Sequence, residues 1–277
     1  MAGVIISGGA SPYIYQWQPG GGTTGNVSNL SVGNYNVTVT DDNGLGCYVI
    51  TNTLTITQSS APLITGIVTY SGGIIDTGYV KLLEYASGSV MQLKDSVRIG
   101  AGGIYSFTAA IAPGNYVVFA ESDAVVSYTT TFGTYYISTH RWDSAAVINA
   151  MCDSTYSTNI ILNENTFLSG NGSISGEITE GDGYLKMMGK GDPIKNVDVD
   201  VEKTPGGQII VHTKTDQTGK YSFNDLPPGN YIIHADIPGL PMDSTYKITI
   251  TATDTLFKDK NFIVDSNLIY IEPSSIS

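Results

Sequence analysis

Leu226-Pro227-Pro228-Gly229-Asn230-Tyr231-Ile232-Ile233-His234 is the stretch whose reading decides the fold. It has two relatives in the same chain. They are Leu30-Ser31-Val32-Gly33-Asn34-Tyr35-Asn36-Val37-Thr38-Val39 and Ile111-Ala112-Pro113-Gly114-Asn115-Tyr116-Val117-Val118-Phe119. Each reads as an apolar residue, a short turn, Gly-Asn-Tyr, and then an alternating strand. Gly reaches positive φ without a Cβ penalty and so closes a tight turn. Pro113, Pro227 and Pro228 fix φ and withhold a ladder donor, so the strand cannot start earlier. The Tyr can bury its ring and still reach a backbone partner through its hydroxyl. The repetition describes an array of similar β-modules, an organisation suited to holding, spacing or binding.

Upstream of the second and third copies, Gly103-Ile104-Tyr105-Ser106-Phe107 matches Gly219-Lys220-Tyr221-Ser222-Phe223. Each is a strand by its period of two, with its aromatics on one face. A further match lies earlier still: Ile64-Thr65-Gly66-Ile67-Val68 against Ile174-Ser175-Gly176-Glu177-Ile178. These pairs define an internal repeat of about 110 residues. Polar punctuation near Ser60 and Ser169 then predicts three modules, 1–60, 61–168 and 169–277. The middle one carries a longer segment, from Ser122 to Asn165.

Composition agrees. The 277 residues include 32 Gly and 18 Tyr, and only 14% are charged, the profile of an all-β extracellular protein rich in turns. Only Asp143 to Met151 offers one or two helical turns. No apolar run has the length of a membrane span. The formal net charge is -12 and the 13 Lys and Arg are scattered, which excludes nucleic-acid binding, since that needs clustered cations. The acidity reads as solubility. Cys47 and Cys152 fall in different predicted modules. They bridge modules, or Cys47 has a partner upstream, or both are free; no Cys or His stands beside either at metal-ligand spacing. Met1-Ala2-Gly3 runs straight into an expected strand, Val4-Ile5-Ile6, without a signal peptide, which suggests an added start on a piece of something longer.

Residues 3–57 carry Gly8-Gly9, Pro12-Tyr13-Ile14-Tyr15-Gln16-Trp17, the Gly33-Asn34-Tyr35 strand, and Asp41 followed by Gly46-Cys47. This constellation resembles the SprB-type repeat of long surface adhesins in gliding bacteria. That repeat begins with an earlier Cys-bearing strand, absent here, so the module is truncated or is completed by upstream chain or a neighbouring subunit. The second and third modules resemble the carboxypeptidase regulatory-like and Cna-B-like family. The residues are Gly176-Glu177-Ile178, Pro193 to Val199, Thr215-Asp216, Gly219-Lys220-Tyr221-Ser222-Phe223 and the Gly-Asn-Tyr phrase. The resemblances imply an Ig-like first module and two prealbumin-like seven-stranded sandwiches, non-catalytic, used as stalk, spacer or adhesion module. Some members carry a Lys–Asn isopeptide bond; Glu177 stands where the Lys would be. The resemblance also implies export by the type IX secretion system.

Several constellations invite chemistry. Asp198, Asp200 and Glu202 line one face of a Val-alternating strand and read as a solvated face. Asp41, Asp42 and Asn43 offer hard oxygen ligands at a turn, so Ca²⁺ is the one cofactor considered, although turn chemistry also explains them. Ser138, His140 and Asp143 read as a surface loop, because no nucleophile elbow is present. His212 and His234 lie in separate strands without a ligand cluster. Tyr13, Tyr15 and Trp17 share a strand face, for core packing rather than sugar stacking. Tyr135, Tyr136, Arg141 and Trp142 form an aromatic–Arg group in a loop and are the candidate ligand-binding residues. Ser96, Ser144, Ser154, Ser244 and Thr255 each follow an Asp in triplets similar to a bacterial O-glycosylation signal.

The reading is a non-enzymatic structural or adhesion part of a secreted or cell-surface bacterial protein, acting as stalk, adhesin or filament component. The alternative is a carbohydrate-binding or accessory region of a larger secreted hydrolase. The expected partners are other copies or other surface proteins through β-strand contacts, or glycans, with neither nucleic acid nor a membrane span.

Overall fold

The structure is a computed structural model and describes residues 2–9, 11–41, 49–85, 90–109, 111–123, 131–183 and 189–273. The chain divides into two compact units, residues 1–60 and 61–277. Both are all-β, and the second contains two sandwiches in series.

In the first unit β1 (Tyr13–Gln18), β2 (Gly33–Asp41) and β3 (Val49–Ile56) form an antiparallel sheet with β2 in the middle. Alternation turns Tyr13, Tyr15 and Trp17 onto the inner face against Tyr35, Val37 and Val39. Trp17 is buried and its Nε1 donates to the Thr24 carbonyl at 3.0 Å. The aromatic stripe is therefore core. Ala2–Gly3 pairs with Asn26–Val27, and the expected strand Val4–Ile6 is extended chain outside any ladder. Val4 and Ile6 pack on the core while Ile5 is exposed. Among the described residues the expected Ig-like module thus has one three-stranded sheet closed by a two-residue pair.

The second unit begins with β4 (Leu63–Tyr70), β5 (Gly78–Glu84), β6 (Gln92–Arg98), β7 (Ile104–Phe107), β8 (Gly114–Ser122), β9 (Thr134–Tyr135), β10 (Ile148–Ala150), β11 (Thr155–Ser157) and β12 (Ile160–Ile161). One sheet has β4 at its centre, antiparallel to β7 and parallel to β11 and β12. The other runs β9-β8-β5-β6, with β10 also on β8. Asp143 to Met151, expected as helical turns, is a 3₁₀ turn at Trp142–Ser144 followed by β10.

The pattern then recurs with β13 (Gly172–Glu180), β14 (Asp198–Thr204), β15 (Gln208–Lys214), β16 (Lys220–Leu226), β17 (Gly229–Asp236), β18 (Tyr246–Ile250), β19 (Leu256–Phe257), β20 (Phe262–Val264) and β21 (Ile269–Ile271). β13 takes the place of β4, antiparallel to β16 and parallel to β19 and β20. The facing sheet is β15-β14-β17-β18. Equivalent positions supply the two cores: Ile64, Val68, Tyr105, Phe107, Tyr116 and Val118 in the first, Ile174, Ile178, Tyr221, Phe223, Tyr231 and Ile233 in the second. Each such side chain contributes roughly 1.5–3 kcal/mol on burial.

Two local devices repeat with the strands. In every Gly-Asn-Tyr phrase the Tyr hydroxyl reaches back four residues to a carbonyl: Tyr35 to Ser31 at 2.9 Å, Tyr116 to Ala112 at 2.9 Å, Tyr231 to Pro227 at 2.6 Å. The turn is thus pinned by the strand it opens. The second device lies in the opening strand. A Cβ on Gly66 would sit 2.5 Å from the Thr158 carbonyl oxygen, and one on Gly176 2.2 Å from that of Lys260. Only Gly allows the terminal strand this close. The Tyr of the Tyr-x-Phe motif donates to that same carbonyl, Tyr105 to Thr158 and Tyr221 to Lys260.

Candidate functional site

The most elaborate chemistry in the second unit lies where its two sandwiches meet. The middle sandwich contributes the outer face of its β9-β8-β5-β6 sheet, where Leu83, Met91, Val117, Phe119 and Tyr135 form a separate buried cluster. The last sandwich contributes the outward face of β14, β15 and β17. Register sets Asp200 of β14 opposite His212 of β15 and opposite His234 of β17, and sets Asp198 opposite Lys214 and Asp236.

Three kinds of contact tie the faces together. Tyr135 donates its hydroxyl to Asp236 Oδ2 at 2.9 Å, and Trp142 Nε1 donates to the Leu240 carbonyl at 3.2 Å. Lys214 Nζ bridges Glu121 Oε2 of the middle sandwich at 3.2 Å and Asp198 Oδ1 of its own at 3.3 Å, and Lys81 closes on the other Glu121 oxygen. Phe132 stacks on the His212 ring at 4.8 Å between centroids. Backbone bonds seal the edges: Met91 N–H to the Pro238 carbonyl at 2.9 Å, Thr166 N–H to that of Ile210 at 2.8 Å. Buried charges need this density of partners, because removing one partner of such a pair costs about 3–5 kcal/mol.

The electrostatics follow from burial and pairing. Burial alone would lower the His212 pKa, but the ion pair of its Nε2 with Asp198 Oδ1 at 3.1 Å and the hydrogen bond its Nδ1 gives to Asp200 Oδ1 at 2.8 Å raise it to about 9. The charged form of His212 is thus favoured, with each ring nitrogen set against a carboxylate. Burial and the nearby Asp198 and Asp200 charges push Asp236 well above the usual carboxylate range. Burial raises Asp198, yet His212 and Lys214 hold it below its ordinary value. His140, also here, is lowered to about 4 by burial and by Arg141, and its Nε2 is buried without a hydrogen-bond partner. His140, His212 and His234 are all the histidines of the chain.

The carboxylate face of β14 is thus not solvated, contrary to its sequence reading: Asp200 is 1% exposed. Alternation shows which residues share a face but not what covers it. His212 and His234 lie on separate strands, as expected, and both stand opposite Asp200 in the register; His212 pairs with Asp200 and His234 Nε2 with Glu202 Oε2 at 3.2 Å. The available signal was cross-strand complementarity, Asp198 and Asp200 matched by His212 and Lys214 at the same i, i+2 spacing.

The candidate binding group is distributed rather than gathered. Tyr135 is buried against Phe119, their rings 4.8 Å apart. Trp142 is half-buried in the junction, Arg141 forks onto Asp143, and Tyr136 packs on the middle core. Tyr135 lines a cleft of about 610 Å³ beside Tyr79, Lys81, Phe119 and Lys214; the other three line none of it. Ser138 accepts from the Ile161 N–H at 2.9 Å, and no hydrogen bond links it to His140 or Asp143. In the first unit Asp41 is buried, while Asp42 and Asn43 lie outside the described residues, as does Cys47; Cys152 is exposed. No group of His, Cys, Asp or Glu among the described residues is arranged to hold a metal ion. Of the hydroxyls in Asp-led triplets, Ser96 and Ser144 are exposed, and Ser154, Ser244 and Thr255 are half-buried.

The repeated opening strand, Tyr-x-Phe strand and Tyr-pinned turn define a sandwich type. Residues 174–261 match the carboxypeptidase regulatory-like domain. A stretch of 72 residues is 33% identical to Colossin-A of Dictyostelium discoideum, covering 26% of this chain and 1% of that protein. Similar solved structures include the Bacillus anthracis TIE protein, at 12% identity over 92% of this chain and 48% of that one, TM-score 0.30. The Bacillus cereus major pilin subunit BcpA with its D312A change has 9% identity over 92% and 95%, TM-score 0.24. GBS52, the minor pilin of Streptococcus agalactiae, has 10% identity over 78% and 99%, TM-score 0.24.

Proposed function

We propose that the chain is a non-enzymatic structural or adhesion part of an extracellular or cell-surface bacterial protein, a stalk, adhesin or filament component. The observation that best supports this is the junction. Two sandwiches built on one strand pattern are joined by ionisable groups that pair across them, Lys214 with Glu121 and Asp198 and Tyr135 with Asp236. The first unit is a SprB-type module in this reading, and export by type IX secretion with O-glycans on exposed Asp-led serines belongs to it. No helix among the described residues is long and apolar enough to cross a membrane.

Deleting the coding region for residues 61–277 from the native gene tests the reading. Loss of surface attachment or of filaments, with cell viability unchanged, supports it. A hydrolytic activity of the purified chain that disappears with His140→Ala overturns it. Intact mass of native material reports the glycans.

One observation favours the carbohydrate-binding alternative. The outward face of β1-β2-β3 carries Gln16, Asn34, Asn36, Thr38, Thr53 and Thr55 and no charge; Thr53 and Thr55 donate to Asn36 and Asn34 at 2.8 Å. A neutral glycan is the partner that such amides and hydroxyls fit. Saturable binding to a glycan array, lost in Asn36→Lys, is its signature.

A further inference from the structure

The terminal strands of the middle sandwich are neighbours, and they run parallel. β4 begins at Leu63 opposite Thr155, and β12 ends at Ile161 opposite Thr69. The chain therefore enters at one end of this strand pair and leaves at the other. Tension applied along the chain pulls the two strands past each other, so every bond between them is loaded at once and in shear. Pulling from one shared end would break the same bonds one after another.

The contacts between these strands are reinforced at their weakest point. The ladder is interrupted between Ser157 and Ile160. There the Asn159 side chain accepts the Ile67 N–H at 3.0 Å, replacing the missing carbonyl. Thr158 N–H donates to the Thr65 carbonyl at 2.8 Å, and Tyr105 holds the Thr158 carbonyl from the neighbouring strand. Leu63 N–H to Ser154 and Leu162 N–H to Thr69, at 2.9 and 2.7 Å, close the two ends. The last sandwich repeats the splice: Asn261 Oδ1 accepts the Glu177 N–H at 3.0 Å and Lys260 N–H donates to Ser175 at 3.1 Å. It differs in one respect. β21 turns back antiparallel on β20, so a C-terminal load meets that three-residue strand first.

We propose that the middle sandwich is a tension-bearing clamp, its parallel terminal strands loaded in shear and spliced by Asn159 and Tyr105. This rests on the structural reading above, but a force measurement and an attachment assay fail separately. A chain that adheres yet yields weakly under load keeps the one and loses the other.

The test is single-molecule force spectroscopy on the full chain in two pulling geometries. One tether is the N-terminus. The other is either the exposed Cys152, just before β11, in a Cys47→Ser chain, or a thiol at the exposed Phe167 (Phe167→Cys with Cys47→Ser and Cys152→Ser). The first geometry unzips β4 from β11 and the second shears them. Severalfold higher unfolding force through position 167 is expected, and equal forces overturn the proposal without any core variant. Forced unfolding is governed by the unfolding rate. Asn159→Ala or Tyr105→Phe should raise that rate roughly tenfold under shear, about 1.4 kcal/mol of barrier. Unchanged rates in both variants overturn the splice.

Discussion

Tyr135 and Asp236 are 101 residues apart in sequence and share a hydrogen bond buried between two sandwiches. Asp236 sits well above the ordinary carboxylate range because burial and its acidic neighbours disfavour its charge. A proton-bearing Asp is close in shape and charge to Asn. Asp236→Asn should therefore leave the unit within about 1 kcal/mol of the parent, whereas Tyr135→Phe, which strands a buried acceptor, should cost about 1–3 kcal/mol. Chemical denaturation of both variants checks this, and a large loss in Asp236→Asn would contradict the protonated junction.

His212 gives the junction an alkaline limit. A base whose folded pKa stands above its unfolded value adds stability that is fully present below about 6.5 and is lost as pH rises through about 9. Unfolding free energy measured between pH 7 and 10 should fall through that window. In His212→Gln the fall should flatten, with lower stability at pH 7. An unchanged alkaline slope would remove His212 as its cause.

His140 acts in the opposite window. Its folded pKa is depressed to about 4 by burial first and by Arg141 second, so stability falls as pH drops from about 6.5 towards 4. His140→Phe should blunt the acid-side loss seen in thermal melts at pH 5 against pH 7. A steeper acid loss in the variant would mean the imidazole is accommodated in its charged form.

Gly176 is a test of the fold itself. A methyl group there meets the Lys260 backbone oxygen at 2.2 Å, and backbone cannot move as a flexible side chain can. Gly176→Ala should destabilise by about 1–3 kcal/mol or more as an overpacked site. Gly191→Ala gives the comparison: its Cβ would meet nothing within 4 Å, so any loss reflects only its φ of +88°. Equal losses would mean that contact with the terminal strand is not what demands Gly176.

The β-modules were legible because their signals are local. Gly-Asn-Tyr fixes a turn, a strand and a buried Tyr within ten residues, and the Tyr hydroxyl finds a carbonyl four residues back in all three copies. The opening strand was legible as a repeat, though not the reason for Gly66 and Gly176, which is the carbonyl of Thr158 or of Lys260, far along the chain. The junction was hidden for the same reason. Asp198 and Asp200 alternate with Val199 and Val201 as residues facing water would, and only the packing of a second sandwich makes their face an interior. Tyr135 and Trp142 were legible as unusual aromatics in a loop, but their partners, Asp236 and Leu240, lie in another module.

The parallel pairing of β4 with β11 and β12 also bears on how such a chain changes length. A module that receives the polypeptide at one end and releases it at the other can be followed by a copy of itself with no return connection. Tandem duplication of its coding segment then adds one module without redesigning the existing ones. The splices at Asn159 and Asn261 match, so each sandwich carries its own through-going strand pair, whereas the residues of the junction differ between the two.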